Sequence, residues 1–240
     1  MKVFGRNVIK ELLISQRRTT IKNVFISKDA GGNIESLKAD LKAKDLHFSL
    51  VPSKTLDKLL GERVNHQGIF AEIEEYSYLP EDEYMTEKAD QREGFLIVLD
   101  QINDPQNFGA IIRTAYGSGA DAVVITKDNS AQVNPTVIKV STGLVFHMPI
   151  IRTVNLSRFL DNVKKSGFWV YSADMDGQAY HNVEWDRKCA LVFGNEGKGI
   201  RRLVSEKCDV TVSIPMKRKM DSLNLSVSVG ILAFAVALKR

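Results

Sequence analysis

Apolar residues follow two rhythms along this chain. Short continuous apolar runs alternate with longer stretches in which apolar positions recur every three or four residues. The first rhythm marks strands buried on both faces, the second amphipathic helices. Near the N-terminus the pattern predicts helices over 6–15 and 34–44, the latter with Ile34, Leu37 and Leu41 at helical spacing. It predicts strands over 23–27, 48–51 and 68–73. Ser53 is placed to cap a helix running to Leu60, with Gly61 to end it. Such alternation describes a small α/β/α module over residues 1–75.

From residue 94 the alternation repeats on a larger scale. The run 95–99 is continuously apolar, as a strand covered on both faces should be. Asp104 and Pro105 suit the cap and first turn of a helix reaching Ser118, where Gly119 can terminate it. Further strands are expected at 122–126, 149–152, 169–173, 190–193 and 210–214, and helices at 156–165, 200–206 and 225–238. Strand and helix in series predict an α/β fold with a mainly parallel sheet. The acidic stretch 72–93 has little apolar periodicity and reads as a linker, taken as 76–93, ahead of a larger domain over 94–240.

Three stretches of the larger domain place small or polar residues directly after an apolar run. A parallel sheet builds its ligand sites there, beyond the carboxyl ends of its strands. The first opens the helix at Asp104-Pro-Gln-Asn107 and carries Arg113, a fork that suits a phosphate or carboxylate. The second is Gly194-Asn195-Glu196-Gly197-Lys198-Gly199-Ile200, whose glycines permit close backbone approach to a ligand. It is neither a P-loop nor a dinucleotide fingerprint, which disfavours an NTPase or a nicotinamide enzyme. The third joins Ile214-Pro-Met216 to Ser222-Leu223-Asn224-Leu225-Ser226 ahead of a strongly apolar helix. Each stretch by itself can also be an ordinary helix cap or glycine turn.

Composition changes this picture in one respect. Residues 1–58 hold 12 Lys/Arg against 6 Asp/Glu, 59–93 hold 3 against 10, and 94–240 hold 18 against 13. Two basic blocks therefore flank an acidic one, which suits either a polyanion such as RNA or solvated helix faces. Lys10, Arg17 and Arg18, and near the glycine-rich stretch Lys198, Arg201, Arg202, Lys217, Arg218 and Lys219, are placed to follow phosphates. His66 can stack on a base or cap a turn. Cys189 and Cys208 lie in or beside apolar runs without metal-ligand spacing, and no metal constellation is visible. No apolar run is long enough to span a bilayer and the start lacks a signal-peptide core, so a cytoplasmic protein is expected.

Taken in order, Asn-x-Gly-Ala-Ile-x-Arg-Thr-Ala, Gly-x-Glu-Gly-x-Gly-Ile, and Ile-Pro-Met with Ser-Leu-Asn-x-Ser resemble the three motifs of the SpoU or TrmH branch of the SPOUT RNA methyltransferases. The opening Phe4-Gly-Arg-Asn-Val-Ile-Lys-Glu-Leu-Leu and Asn65-His-Gln-Gly-Ile69 extend the resemblance to the ribosomal-protein-like substrate-binding domain of RlmB-type ribosomal RNA enzymes. The resemblance implies S-adenosylmethionine as methyl donor and a ribose 2′-hydroxyl of RNA as acceptor, most simply a guanosine of 23S ribosomal RNA. It also implies a C-terminal trefoil knot and a homodimer formed through the C-terminal domain. By the same resemblance Asn107, Arg113, Glu196 and Asn224 belong to the reaction centre. Gly194, Asn195, Gly197, Ile214, Met216, Ser222, Leu223 and Ser226 belong around the cofactor.

The chain departs from the family pattern at Arg218, which stands where a glycine is usual, and over 139–147, around Thr142, where a run of small residues is usual. Transfer RNA as substrate, and a non-catalytic RNA-binding member of the fold, are the competing readings. An intact Asn107, Arg113 and Glu196 favour the enzyme. Arg113 is often cast as the base in this family. With a pKa above about 12 it stays protonated, which favours phosphate binding and stabilisation of alkoxide charge instead.

Overall fold

The structure, a computed structural model, describes residues 1–15, 19–61, 64–88, 91–218, 220 and 222–239. The chain divides into two compact units. The smaller comprises Met1–Ser77 with Val133–His147, the larger Tyr78–Gln132 with Met148–Arg240.

The smaller unit begins with β1 (Lys2–Phe4), α1 (Arg6–Ile14), β2 (Ile21–Ser27), α2 (Ile34–Ala43), β3 (Ser49–Val51), α3 (Ser53–Leu60) and β4 (Ile69–Ile73). Its sheet runs β1-β4-β2-β3, with only the β2–β3 pair parallel. Val3, Ile9, Ile26, Leu41 and Phe70 are fully buried and form its core. β1 is too short to show an alternation, and the pattern does not predict it. Ser53 is the first helical residue of α3 and not its cap. Pro52 holds the cap position, while Gly61 ends the helix in the left-handed region at φ 79°.

The stretch expected to be a linker is instead structured. It contains α4 (Glu81–Lys88), which belongs to the larger unit. Leu79 donates its N–H to the Ile150 carbonyl at 2.8 Å, and Tyr84 is buried. Glu81 accepts from Thr153 at 3.3 Å and from Asn162 at 3.2 Å. One buried aromatic and a polar anchor hold this helix, so apolar periodicity could not reveal it.

The larger unit continues through β5 (Gly94–Leu99), α5 (Pro105–Gly117) and β6 (Ala122–Thr126). The chain then contributes α6 (Pro135–Val140) and a short turn at Leu144–Phe146 to the smaller unit. There Ser15 Oγ donates to the Phe146 carbonyl at 2.5 Å, the Tyr76 hydroxyl to that of Val145 at 3.2 Å, and His147 Nε2 lies 2.8 Å from a Glu11 carboxylate oxygen. This is the stretch around Thr142 that departs from the family pattern. Its side chains are engaged in packing within the smaller unit.

The remaining elements are β7 (Ile150–Thr153), α7 (Leu156–Lys165), β8 (Trp169–Ala179), β9 (Lys188–Phe193), α8 (Arg202–Ser205), β10 (Val210–Ser213) and α9 (Leu225–Lys239). The six strands of the larger unit lie in the order β10-β8-β9-β5-β6-β7, and every neighbouring pair is parallel. All six residues of β5 are buried, as its unbroken apolar run predicts. From β5 the connections build outward to β6 and β7 on one side. On the other side β9 lies against β5, and its exit leads away to α8 and β10. The crevice beyond the ends of β5 and β9 is therefore a topological switch point, where open α/β sheets bind ligands.

Candidate active site

The three motifs meet beyond the ends of β5, β9 and β10. Asp104 caps α5 by accepting from the N–H groups of Gln106 at 2.9 Å and Asn107 at 3.3 Å. This cap fixes the first turn and turns the buried Asn107 toward the glycine-rich loop. Asn107 Nδ2 donates to Glu196 Oε1 at 2.7 Å, and Asn107 Oδ1 accepts from Asn224 Nδ2 at 3.1 Å. Glu196 Oε1 also receives the Leu225 N–H at 3.4 Å and lies 3.5 Å from Asn224 Nδ2. Asn224 in turn opens α9, its Oδ1 accepting from Ser226 N at 2.9 Å and Ser226 Oγ at 2.6 Å. The carboxylate thus sits at the N-terminal end of α9, where the helix dipole favours negative charge.

A cleft of about 340 Å³ adjoins this junction. Asp174 and Met175 from β8, Gly194–Glu196 after β9, Ile214 and Met216 after β10, and Ser222, Leu223 and Leu225 leading into α9 line it. The volume lies in the range of small-molecule sites. Its lining mixes apolar side chains, the carboxylates of Asp174 and Glu196, and glycine backbone. Gly194 is required there: a Cβ on it would fall 2.1 Å from the Gly199 carbonyl carbon and 2.3 Å from Ile200 N. Asn195 ties the loop closed, exchanging backbone hydrogen bonds with Gly199 at 3.0 and 2.8 Å. Its side chain donates to the Gln101 carbonyl at 2.9 Å and accepts from Gly197 N at 3.0 Å.

Of the residues assigned to the cofactor, Gly194, Asn195, Ile214, Met216, Ser222 and Leu223 line the cleft. Gly197 and Ser226 do not; the first completes the turn with Asn195, and the second closes the cap with Asn224. Ser228 and Leu225 of the third stretch line it as well, together with Ala173, Asp174 and Met175, which belong to none of the three stretches. A carboxylate directly after the strand expected at 169–173 was the available signal for Asp174. Arg218 is exposed and stands outside the cleft lining, so the missing glycine does not obstruct it.

The basic residues divide. Lys10, Arg113, Lys198, Lys217 and Arg218 are exposed. Arg201, expected on RNA, is engaged elsewhere: its N–H and Nε donate to the buried Asp100 carboxylate at 2.9 and 2.8 Å, with Nη2 2.7 Å away. A buried carboxylate needs that partner, so Arg201 anchors the glycine-rich loop to the end of β5. Arg202 pairs with Glu206 at 2.5 Å. His66 closes a turn, its Nδ1 accepting from Gly68 N at 3.0 Å while Nε2 lies 3.3 Å from Asp57. It is not displayed for stacking on a base. Arg17, Arg18 and Lys219 lie outside the described residues.

Cys189 is fully buried and Cys208 partly so. Among the described residues no cluster of His, Cys, Asp and Glu could hold a metal ion, and no helix is long and apolar enough to cross a membrane.

Comparison with known proteins agrees with this geometry. The SpoU rRNA Methylase family pattern matches residues 94–234, and the pattern described as RNA 2′-O ribose methyltransferase substrate binding matches residues 2–79. A Bacillus subtilis protein named as a TrmH family tRNA/rRNA methyltransferase is 36% identical over 240 residues, covering 99% of this chain and 95% of its own. A Staphylococcus aureus counterpart of the same name is 36% identical over 242 residues, covering 99% and 96%. Among solved structures, an rRNA methyltransferase of Sinorhizobium meliloti with S-adenosylmethionine bound superposes with a TM-score of 0.79 at 25% identity, covering 98% of this chain and 85% of that one. The AviRb methyltransferase of Streptomyces viridochromogenes shares the fold at a TM-score of 0.80 and 21% identity, covering 99% and 89%.

Proposed function

Because the chain belongs to the SpoU family of RNA methyltransferases, we propose that it transfers a methyl group from S-adenosylmethionine to a ribose 2′-hydroxyl, that of a guanosine in 23S ribosomal RNA. The observation that carries this reading is the Asn107–Glu196–Asn224 junction on the rim of the cleft. Bound in the cleft, the cofactor supplies a methyl group on a sulfonium centre with a neutral thioether as leaving group. The apolar walls at Ile214, Leu223 and Leu225 suit its adenine, and the exposed backbone of Gly194 suits close approach to it. The protein's remaining task is to orient the acceptor oxygen and manage its proton. Asn107 and Asn224 hold the Glu196 carboxylate through Oε1, which leaves Oε2 to receive the hydroxyl proton. Arg113, six positions along α5 from Asn107, holds the adjoining phosphate and stabilises negative charge growing on the ribose oxygen.

The match of residues 2–79 to a substrate-binding pattern favours the smaller unit as an RNA-holding module, and likeness along 98% of the chain to an rRNA methyltransferase favours ribosomal over transfer RNA. The same reading includes a trefoil knot in the larger unit. It also includes a homodimer, supported by Tyr116 on α5 with Val227, Phe234 and Leu238 on α9, all exposed. Activity in the cytoplasm follows from the substrate.

Calorimetry with S-adenosylmethionine, together with mapping of 2′-O-methyl sites in ribosomal and transfer RNA from cells with and without the gene, tests the proposal. Failure to bind the cofactor in the presence or absence of RNA rejects the enzyme. A lost site in transfer RNA alone rejects the ribosomal substrate.

A further inference from the structure

A second cleft, of about 380 Å³, shares Asn195 with the first and is lined by Gln101, Asn103, Asn129, Asn195 and Lys198. Its residues come from the loops after three adjacent strands, β5, β6 and β9, so it occupies the topological switch point of the sheet. The lining contrasts with that of the cofactor cleft: four carboxamides and an ammonium, with no aliphatic wall.

The three loops are bound to one another. Asn195 Nδ2 holds the Gln101 carbonyl at 2.9 Å. The Ile102 carbonyl accepts from Ala131 N at 2.7 Å and from Ser130 Oγ at 3.3 Å. Inside the loop after β6, Gln132 Nε2 donates to the carbonyls of Thr126, Lys127 and Ser130 at 3.1, 3.2 and 3.0 Å. Gln101 and Asn129 both sit in the left-handed region, at φ 61° and 55°. Asparagine enters that region readily, whereas a glutamine is held there where its surroundings over-determine it. The backbone is thus fixed, while the carboxamides of Gln101, Asn103 and Asn129 have no hydrogen-bond partner among the described residues. Lys198 likewise has no ion pair among them.

We propose that this cleft receives the base of the acceptor nucleotide. The Gln101, Asn103 and Asn129 amides read its polar edge, and Lys198 holds a neighbouring phosphate. This inference rests on the RNA methyltransferase reading and adds to it the residues that select the nucleotide. Each carboxamide offers two donors and an acceptor in one plane, the complement of a base edge. Asn195 is the shared wall between the two clefts. A base seated against it would present its ribose to Glu196 and to the cofactor cleft.

The test compares the full-length protein with the double variant Asn103→Ala/Asn129→Gly, in which glycine keeps the left-handed backbone at 129 and neither lost side chain braces a loop. The RNA is ribosomal and transfer RNA from cells lacking the gene, with labelled S-adenosylmethionine. The expected result is kcat/KM for RNA lowered about tenfold or more, with cofactor affinity within about twofold of wild type. A variant that methylates RNA within about twofold of wild type overturns the proposal. Should wild type methylate neither RNA, the parent reading fails separately. The cleft is then judged by titrating guanosine and uridine 5′-monophosphates while following the side-chain amide resonances. Shifts at Asn103 and Asn129 support a nucleotide site, and unmoved resonances exclude one.

Discussion

Asn107 and Glu196, 89 positions apart, meet at 2.7 Å with the amide donating to the carboxylate. This contact joins the helix after β5 to the loop after β9, and Asn224 closes it from the third motif. If the three act as one unit, their losses do not add. Asn107→Ala and Glu196→Ala are each expected to lower kcat by about 100-fold. The double variant should fall short of the product, with a coupling of about 1–2 kcal/mol in a double-mutant cycle. Single-turnover methyl transfer measures it. Additive losses would show that the two side chains work independently.

Gly194 and Gly197 lie in one loop but face different constraints. A Cβ at 194 meets backbone at 2.1 Å, whereas at 197 the nearest contact is Asn195 Oδ1 at 3.7 Å. Gly194→Ala must displace the Gly199–Ile200 backbone, which should destabilise the fold by about 2 kcal/mol and abolish cofactor binding. Gly197→Ala should change stability by less than about 0.5 kcal/mol. Thermal unfolding paired with calorimetry separates the two, and equal behaviour would contradict the packing.

Burial pushes the Cys208 thiol up to about 11, against a usual 9.0. The protonated form therefore dominates in the folded protein at pH 8, and a thiolate-directed reagent should label Cys208 slowly until urea unfolds the chain. Because the folded pKa exceeds the unfolded one, the contribution to stability is complete below about pH 9 and is lost as pH rises through about 11. The urea midpoint of wild type should accordingly fall more steeply between pH 8 and pH 10.5 than that of Cys208→Ala. Parallel slopes would remove Cys208 as the cause.

Much of this site was legible because its chemistry sits in short runs at strand ends. The parallel sheet follows from apolar runs such as β5, and the Asp104 cap from its residue type and the proline behind it. What escaped depends on contacts distant in sequence. The Asp100–Arg201 pair could not be foreseen, because an arginine in a basic stretch looks the same whether it faces RNA or a buried carboxylate. His66 was ambiguous for the same reason until Gly68 and Asp57 were placed around it. The helix α4 has no apolar stripe, and the attachment of Val133–His147 to the smaller unit rests on tertiary packing. The amide cleft was invisible because Gln101, Asn103 and Asn129 belong to no motif and converge only through the strand order.

Arg113 is exposed on α5 and has no ion pair among the described residues. Its proposed task requires charge and shape together: a planar fork that holds a phosphate while steadying charge on the ribose oxygen. Lysine keeps the charge but loses the fork. Arg113→Lys should therefore preserve cofactor affinity and most of the salt dependence of RNA binding, which reports the number of phosphates neutralised. Its kcat should still fall by about 30-fold or more, because the fixed donors facing the developing charge are gone. Arg113→Ala should lose both, with weaker RNA binding and a shallower salt slope. Filter binding across a salt series and single-turnover rates distinguish these outcomes. A lysine variant within about threefold of the wild-type rate would mean that charge alone suffices, and the bidentate role of Arg113 would have to be abandoned.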